Sequence, residues 1–240
     1  MTIVAIGSVH GAPGASTLAL DMARLGGPDS LLIEADPDGG LFAARFFLGL
    51  KPGLTDLAGA ARTGIDPSNI WKYAQPTKYG CAVIVAHPAA EQVYGALRTS
   101  AEHIGTALQA LTNSVVIDIG RVRPGSPALA LAAYADHVII VADPTLESVV
   151  SLTNRANLLR GLSSVHVLLT ATEPYSAHDV TIASRLSVWG VIARAEGRRG
   201  EAARDVQIKK LIRDMADPFV PRQQSSLASL LDAVLEETEP

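Results

Sequence analysis

A chain of 240 residues with 48% hydrophobic and 18% charged side chains can bury a full core, and its length allows one large domain or two small ones. The formal net charge of -4 gives no general attraction for nucleic acid or anionic lipid, so binding of either needs a local patch. A single cysteine, Cys81, excludes an intrachain disulfide and a multi-cysteine metal site; it fits a reducing compartment and reads as a small buried hydrophobe.

The N-terminal MTIVAIGSVH has neither a basic flank nor a long apolar segment ending in a cleavage site. The longest apolar stretch, 128–142, is broken by Asp136 and His137 and is shorter than the ~20 residues of a membrane span, so it reads as a helix followed by a buried strand. A cytoplasmic protein without intrinsic membrane binding is expected.

In chain order, short β-branched runs bounded by turn residues occur at 2–9, 31–35, 82–86, 115–119, 138–142, 165–171 and 188–192, which predicts about seven strands. Helical spacing fills 15–26, 91–111, 147–162 and 178–187 between them. Near-continuous apolar strands that alternate with helices need cover on both faces, so the expected fold is a three-layer α/β domain around a mostly parallel sheet. No repeat or linker divides it, and residues 1–240 read as one domain with C-terminal helices. The last stretch, 224–240, sets Leu227, Leu230, Leu231, Val234 and Leu235 on one helical face and ends acidic. A helix packed on the domain is expected there, because a membrane-surface helix needs Lys or Arg beside its apolar face and none follows Arg222.

The segment 7-GSVHGAPGASTLAL-20 passes from the first strand into the first helix in the form of a phosphate-binding loop. Gly11 and Gly14 permit close approach of backbone N–H groups to an anion. Ser16 offers a hydroxyl to a magnesium ion, and Thr17 a hydroxyl to a phosphate oxygen. Two carboxylates close apolar runs downstream, Asp36 in 31-LLIEADPDGG-40 and Asp118 in 115-VVIDIG-120, as expected of groups that reach a hydrated magnesium ion. A further strand runs into a helix at 138-VIIVADPTLESVVSL-152.

In this order the segments resemble the ParA/MinD family of deviant-Walker P-loop ATPases, over residues 2 to about 192. The resemblance implies a nucleotide site at His10, Gly11, Ala12, Pro13, Gly14, Ala15, Ser16, Thr17, Asp118 and Arg121. It also implies ATP or ADP with Mg2+ held at Ser16, Asp36 and Asp118, with Asp36 positioning the attacking water, and protein partners, a homodimer among them. The family's loop reads roughly KGGxGK[TS]T, and laid on 10-HGAPGAST-17 it loses both lysines. The signature lysine falls on His10, the phosphate-loop lysine on Ala15 and the second glycine on Ala12; Pro13 lacks an N–H. Asp38 replaces the family's glutamine, Arg121 and Arg123 stand in the second switch, and Thr170 stands where an asparagine holds the adenine.

One lost charge-assisted contact removes about 1.5–3 kcal/mol of binding, whereas cations that meet the developing charge of phosphoryl transfer supply on the order of 10³–10⁵ in rate. The expected function is therefore a degenerate nucleotide-binding or pseudo-ATPase protein that acts as a positioning or assembly factor. The stretch 34–62 resembles the CpaE/TadZ branch that localises pilus-secretion machinery. An active ATPase with His10, Arg121 and Arg123 in place of the lysines is one alternative. A DNA-partition protein using the basic 194–213 stretch is another, although its interleaved Glu196, Glu201 and Asp205 favour a solvated helix and make nucleic acid an unfavoured partner.

Overall fold

The computed structural model describes residues 2–11, 14–162, 164–192 and 197–216. Ala12 and Pro13 of the loop, the tail helix expected over 224–240, and the side chains of Arg198 and Arg199 lie outside the described residues.

The strands are β1 (Ile3–Ser8), β2 (Leu31–Glu34), β3 (Gln75–Pro76), β4 (Ala82–Ile84), β5 (Val115–Arg121), β6 (His137–Ala142), β7 (Val165–Leu169) and β8 (Ser187–Val191). They form one sheet in the order β3-β4-β2-β5-β1-β6-β7-β8. All neighbours are parallel except β3, which pairs antiparallel with β4. Each of the seven expected strands is present. The eighth, β3, is two residues long and contains a proline, so it carries no apolar signal; proline is tolerated on this edge. Every residue of β1, β2 and β6 is buried, as a parallel sheet covered on both faces requires.

On one face lie α1 (Ala15–Leu25), α2 (Phe42–Phe46) and α8 (Gly197–Ala216), whose Leu18, Phe42, Ile208 and Met215 pack on Val4, Ile6, Val83 and Ile139. On the other lie α3 (Leu54–Ala61), α4 (Ala90–Gln109), α5 (Ala128–Ala132), α6 (Leu146–Arg160) and α7 (Ala177–Ser184). A 3-10 helix, Pro67–Tyr73, starts at Asp66, whose side chain accepts from Ser68 N. Among the described residues no helix is long and apolar enough to cross a membrane.

Within the described residues 197–213 the basic stretch is helical as expected, and Arg204 and Asp205 tie it to the domain. Arg204 Nε bonds Asp21 at 2.9 Å, and Arg24 bonds Asp205 at 2.5 Å, which ties the first half of α8 to the last two turns of α1. At the other end of α8, His137 Nε2 lies 3.2 Å from Met215 O, beside His166 and Trp189, whose rings stack with centroids 3.7 Å apart.

Candidate functional site

β1 sits near the middle of the sheet, between β5 and β6, so the loop leaving it opens above the carboxyl ends of the central strands, where α/β sheets bind ligands. Gly14 caps α1 at φ 118°, ψ -6°, a left-handed conformation that suits glycine, and having no side chain it leaves the N–H groups of the first turn without an N-cap side-chain bond. Those N–H groups and the positive end of the helix dipole face the loop mouth. Ala15 is buried, so the position implied for a lysine presents only a methyl group to the core. His10 and Gly11 are exposed, and Ser16 and Thr17 are half-buried.

The three residues expected to share a cation come together. Asp118 is 2% exposed and accepts Gly120 N at 3.1 Å, and the Ser16 hydroxyl lies beside it, where it favours the charged form. Burial pushes the Asp118 carboxyl up to about 6, with Asp36 and Glu34 adding to the rise. Asp36 is also raised, again chiefly by burial, although Arg123 and Arg121 pull it down; its Oδ1 accepts Asp38 N at 2.9 Å. Between the two carboxylates runs the backbone of Gly120, at φ +63°, and a Cβ built there would lie 2.1 Å from Asp36 Cγ. Gly120 is thus the residue that lets Asp36 lie against the end of β5, and its role is visible only once the two strand ends are placed side by side.

Glu34 is a second residue that the sequence did not single out. It is 3% exposed, closes β2, and accepts three backbone N–H groups: Leu41 at 2.6 Å, Phe42 at 2.8 Å and Ala86 at 2.8 Å. Burial raises its carboxyl, and the three N–H groups oppose that rise. The result is a clamp that fixes the 35–41 turn, and Asp36 with it, to the end of β4. In an apolar run a lone glutamate gives no sign of such a role.

The basic side chains beside the loop come from neighbouring elements. Arg121 ends β5 with a guanidinium nitrogen 3.4 Å from where a Cβ on Gly11 would stand. Arg123 instead pairs with Asp38, both half exposed. His10 lies within electrostatic reach of Glu147 at the start of α6.

From Gly14 a cleft of about 700 Å³ extends between α1 and α8, floored by Leu18, Val141 and Leu168 and including Thr17, Thr170 and Ile192. Thr170 follows β7 and its hydroxyl donates to Asp143. The cleft has the size of small-molecule sites and is continuous with the loop. For a hard divalent cation the donor set is chemically suitable, consisting of a serine hydroxyl and two carboxylates. Among the described residues no three His, Cys, Asp or Glu side chains are close enough to hold a metal by themselves, so water or a bound phosphate would complete the coordination.

No protein-family profile matches the sequence, and no curated protein matches it. Solved structures do match in three dimensions. A ParA family ATPase from Chlorobium tepidum superposes with a TM-score of 0.64 at 14% identity, over 98% of this chain and 97% of that one. The septum site-determining protein MinD of Pyrococcus horikoshii, complexed with Mg-ADP, gives 0.62 at 13% identity, over 99% and 96%. A chain of the MinC:MinD cell division protein complex of Aquifex aeolicus gives 0.60 at 16% identity, over 100% and 97%. The chain has the fold of these ParA and MinD proteins.

Proposed function

We propose that this chain, with a ParA/MinD-type fold, is a nucleotide-binding positioning or assembly factor with weak or absent ATP hydrolysis. The observation that carries the reading is the meeting of Ser16, Asp36 and Asp118 at the mouth of a loop in which Ala15 is a buried methyl group. Two desolvated carboxylates with raised pKa values, next to a helix N-terminus capped by glycine, suit a site that takes a cation and an anion together. In that arrangement Ser16 and Asp118 would hold Mg2+ and Asp36 would face it through water. The N–H groups of residues 14–17 would hold phosphates and the cleft at Thr170 the base. The magnesium ion would supply charge neutralisation of the phosphate oxygens. A chain of this kind acts by changing partners, and a second copy meeting it across the loop face fits His10, Gly11 and Leu146, all exposed there. A role at a pilus or secretion apparatus follows only from the likeness of 34–62 to the CpaE/TadZ branch.

Titration calorimetry with ATP and ADP, with and without magnesium, tests this. Magnesium-dependent binding is expected, and Ala15→Lys should tighten it by one to two decades, about the worth of one charge-assisted contact. Absence of binding at millimolar nucleotide, unrescued by Ala15→Lys, would overturn it.

One observation favours a second reading, an active ATPase, because the Arg121 guanidinium approaches Gly11 at the loop. Steady-state phosphate release at an ordinary rate, lost in both Asp36→Ala and Arg121→Ala, would establish it. DNA partition gains no such support, since Arg204 is held by Asp21 and the exposed Lys209, Lys210 and Arg213 share α8 with Glu201, Asp205 and Asp214.

A further inference from the structure

Beyond the end of β5 the chain still follows β1, because Val122 N donates to Ser8 O at 2.7 Å and the Val122 side chain is 1% exposed. Side chains alternate along extended backbone, so Arg121 and Arg123, which flank this buried residue, both face away from the core and are exposed. They reach to opposite sides of β5, which lies between β2 and β1. Arg121 approaches the loop at Gly11, and Arg123 pairs with Asp38 on the turn after β2.

The two members of that pair differ in freedom. Asp38 stands on a fixed turn: its N–H donates to Asp36 Oδ1 at 2.9 Å, Gly39 N donates to Asp36 O at 3.1 Å, Gly40 N donates to His87 O at 2.9 Å, and Glu34 holds the N–H groups of Leu41 and Phe42. Arg123 has a long side chain that can turn without moving its backbone. An exposed ion pair of this kind favours its closed form by only about two- to fivefold. A charge-assisted bond to a phosphate is worth about ten- to a hundredfold, so Arg123 can leave Asp38 for a phosphate within its reach.

The sheet order says which phosphate that is. In the nucleotide reading, on which this inference rests, the base lies at Thr170 after β7 and the phosphates meet residues 14–17 after β1. The order β2-β5-β1-β6-β7 then carries the phosphate chain from the β7 side across β1 towards β5 and β2. Its far end arrives beside Asp118, Asp36 and the two arginines. Asp36, raised chiefly by burial, is pulled back by Arg123 more than by Arg121, so the charge of Arg123 already reaches this corner. A third phosphate placed there adds negative charge opposite two carboxylates and needs a cation that a diphosphate does not. We propose that Arg123 distinguishes a nucleoside triphosphate from a diphosphate by exchanging Asp38 for the terminal phosphate, with Asp38 as the internal competitor that limits the exchange.

Equilibrium titration of the full chain with a non-hydrolysable ATP analogue and with ADP, each with magnesium, tests it. In Arg123→Gln the analogue should bind about tenfold more weakly or worse, with ADP within about twofold of the wild type. In Asp38→Asn the analogue should bind about two- to fivefold more tightly, with ADP again unchanged, and this gain should vanish in Arg123→Gln/Asp38→Asn. A pair that serves only the fold predicts losses in both single variants and for both nucleotides, and that result would overturn the proposal. So would a loss of discrimination in Arg121→Gln with Arg123→Gln like the wild type, which would give the role to Arg121. Magnesium-dependent ADP binding with the same analogue-to-ADP ratio in Arg123→Gln as in the wild type would sink this inference alone. Binding of neither nucleotide by the wild type would overturn the nucleotide reading, and this inference with it.

Discussion

Asp118 holds a cost that a residue chosen for stability alone would not. Its carboxyl titrates at about 6 in the fold against an ordinary value of 3.8, so the folded state binds protons more tightly than the unfolded chain. The sign follows: stability is greatest below the ordinary value, falls as pH rises through about 6, and stays reduced above it. Asp118→Asn removes the cost while an amide can still serve Gly120 N and Ser16. We expect it to stabilise the ligand-free protein by about 3 kcal/mol at pH 8 and about half of that at pH 5, measured by urea denaturation. Destabilisation at pH 8 would show that the ionised carboxylate is a net structural asset. Gly120 and Glu34 behave in the opposite way. Gly120→Ala drives a methyl group into Asp36 at a left-handed backbone position and should lower stability by about 1–3 kcal/mol while displacing Asp36. Glu34→Gln turns an acceptor of three N–H groups into a group with one oxygen and an NH2, leaving at least one buried N–H unpaired at about 1–3 kcal/mol. Denaturation midpoints of the two variants check both figures.

At the level of elements, seven strands were readable because each is a short apolar run bounded by turn residues, and all but the edge strand β8 are largely buried. β3 was not, since Gln75 and Pro76 pair on an edge where neither hydrophobicity nor β-propensity is needed. The motif order singled out Ser16, Asp36 and Asp118, which the fold places at the start of α1, after β2 and within β5. Glu34 and Gly120 escaped because their function is defined by groups 7 to 52 residues away, or by a neighbouring strand. The same holds for the device at the end of α8, built from His137, His166 and Trp189 on three successive strands. Burial, with a smaller contribution from His137, lowers His166 to about 4, so the fold keeps it neutral. Its folded value lies below the unfolded one of 6.5, so the associated stability is complete above that value and is lost as pH falls towards 4. The seat of α8 should therefore loosen in acid. In a Trp71→Phe background, Trp189 fluorescence should change between pH 6 and 4, and His166→Phe should remove the transition. A transition that persists in His166→Phe would place the acid sensitivity elsewhere.

For the whole molecule, the sheet separates two kinds of surface. Towards the carboxyl ends of β2 and β5 three carboxylates gather, the buried Glu34 and Asp118 and the half-buried Asp36, all raised chiefly by desolvation, while the helices below them form an ordinary apolar core. A fold that keeps such a cluster loses stability for it, and the natural compensation is a ligand that binds only the folded state. The linkage is quantitative: at ten times its dissociation constant, magnesium with ADP would add about 1.4 kcal/mol. For a chain of this length that corresponds to a rise in Tm of about 3–5 °C. Thermal unfolding at pH 8 should show this rise in the wild type, and magnesium chelated by EDTA should cancel it. The informative variant is again Asp118→Asn, which should begin from a higher Tm without ligand and gain nothing from magnesium and ADP. A site kept for binding predicts that combination of higher intrinsic stability and lost response. A buried aspartate that serves only the fold predicts the reverse, a lower starting Tm with the response to ligand, if any, unchanged.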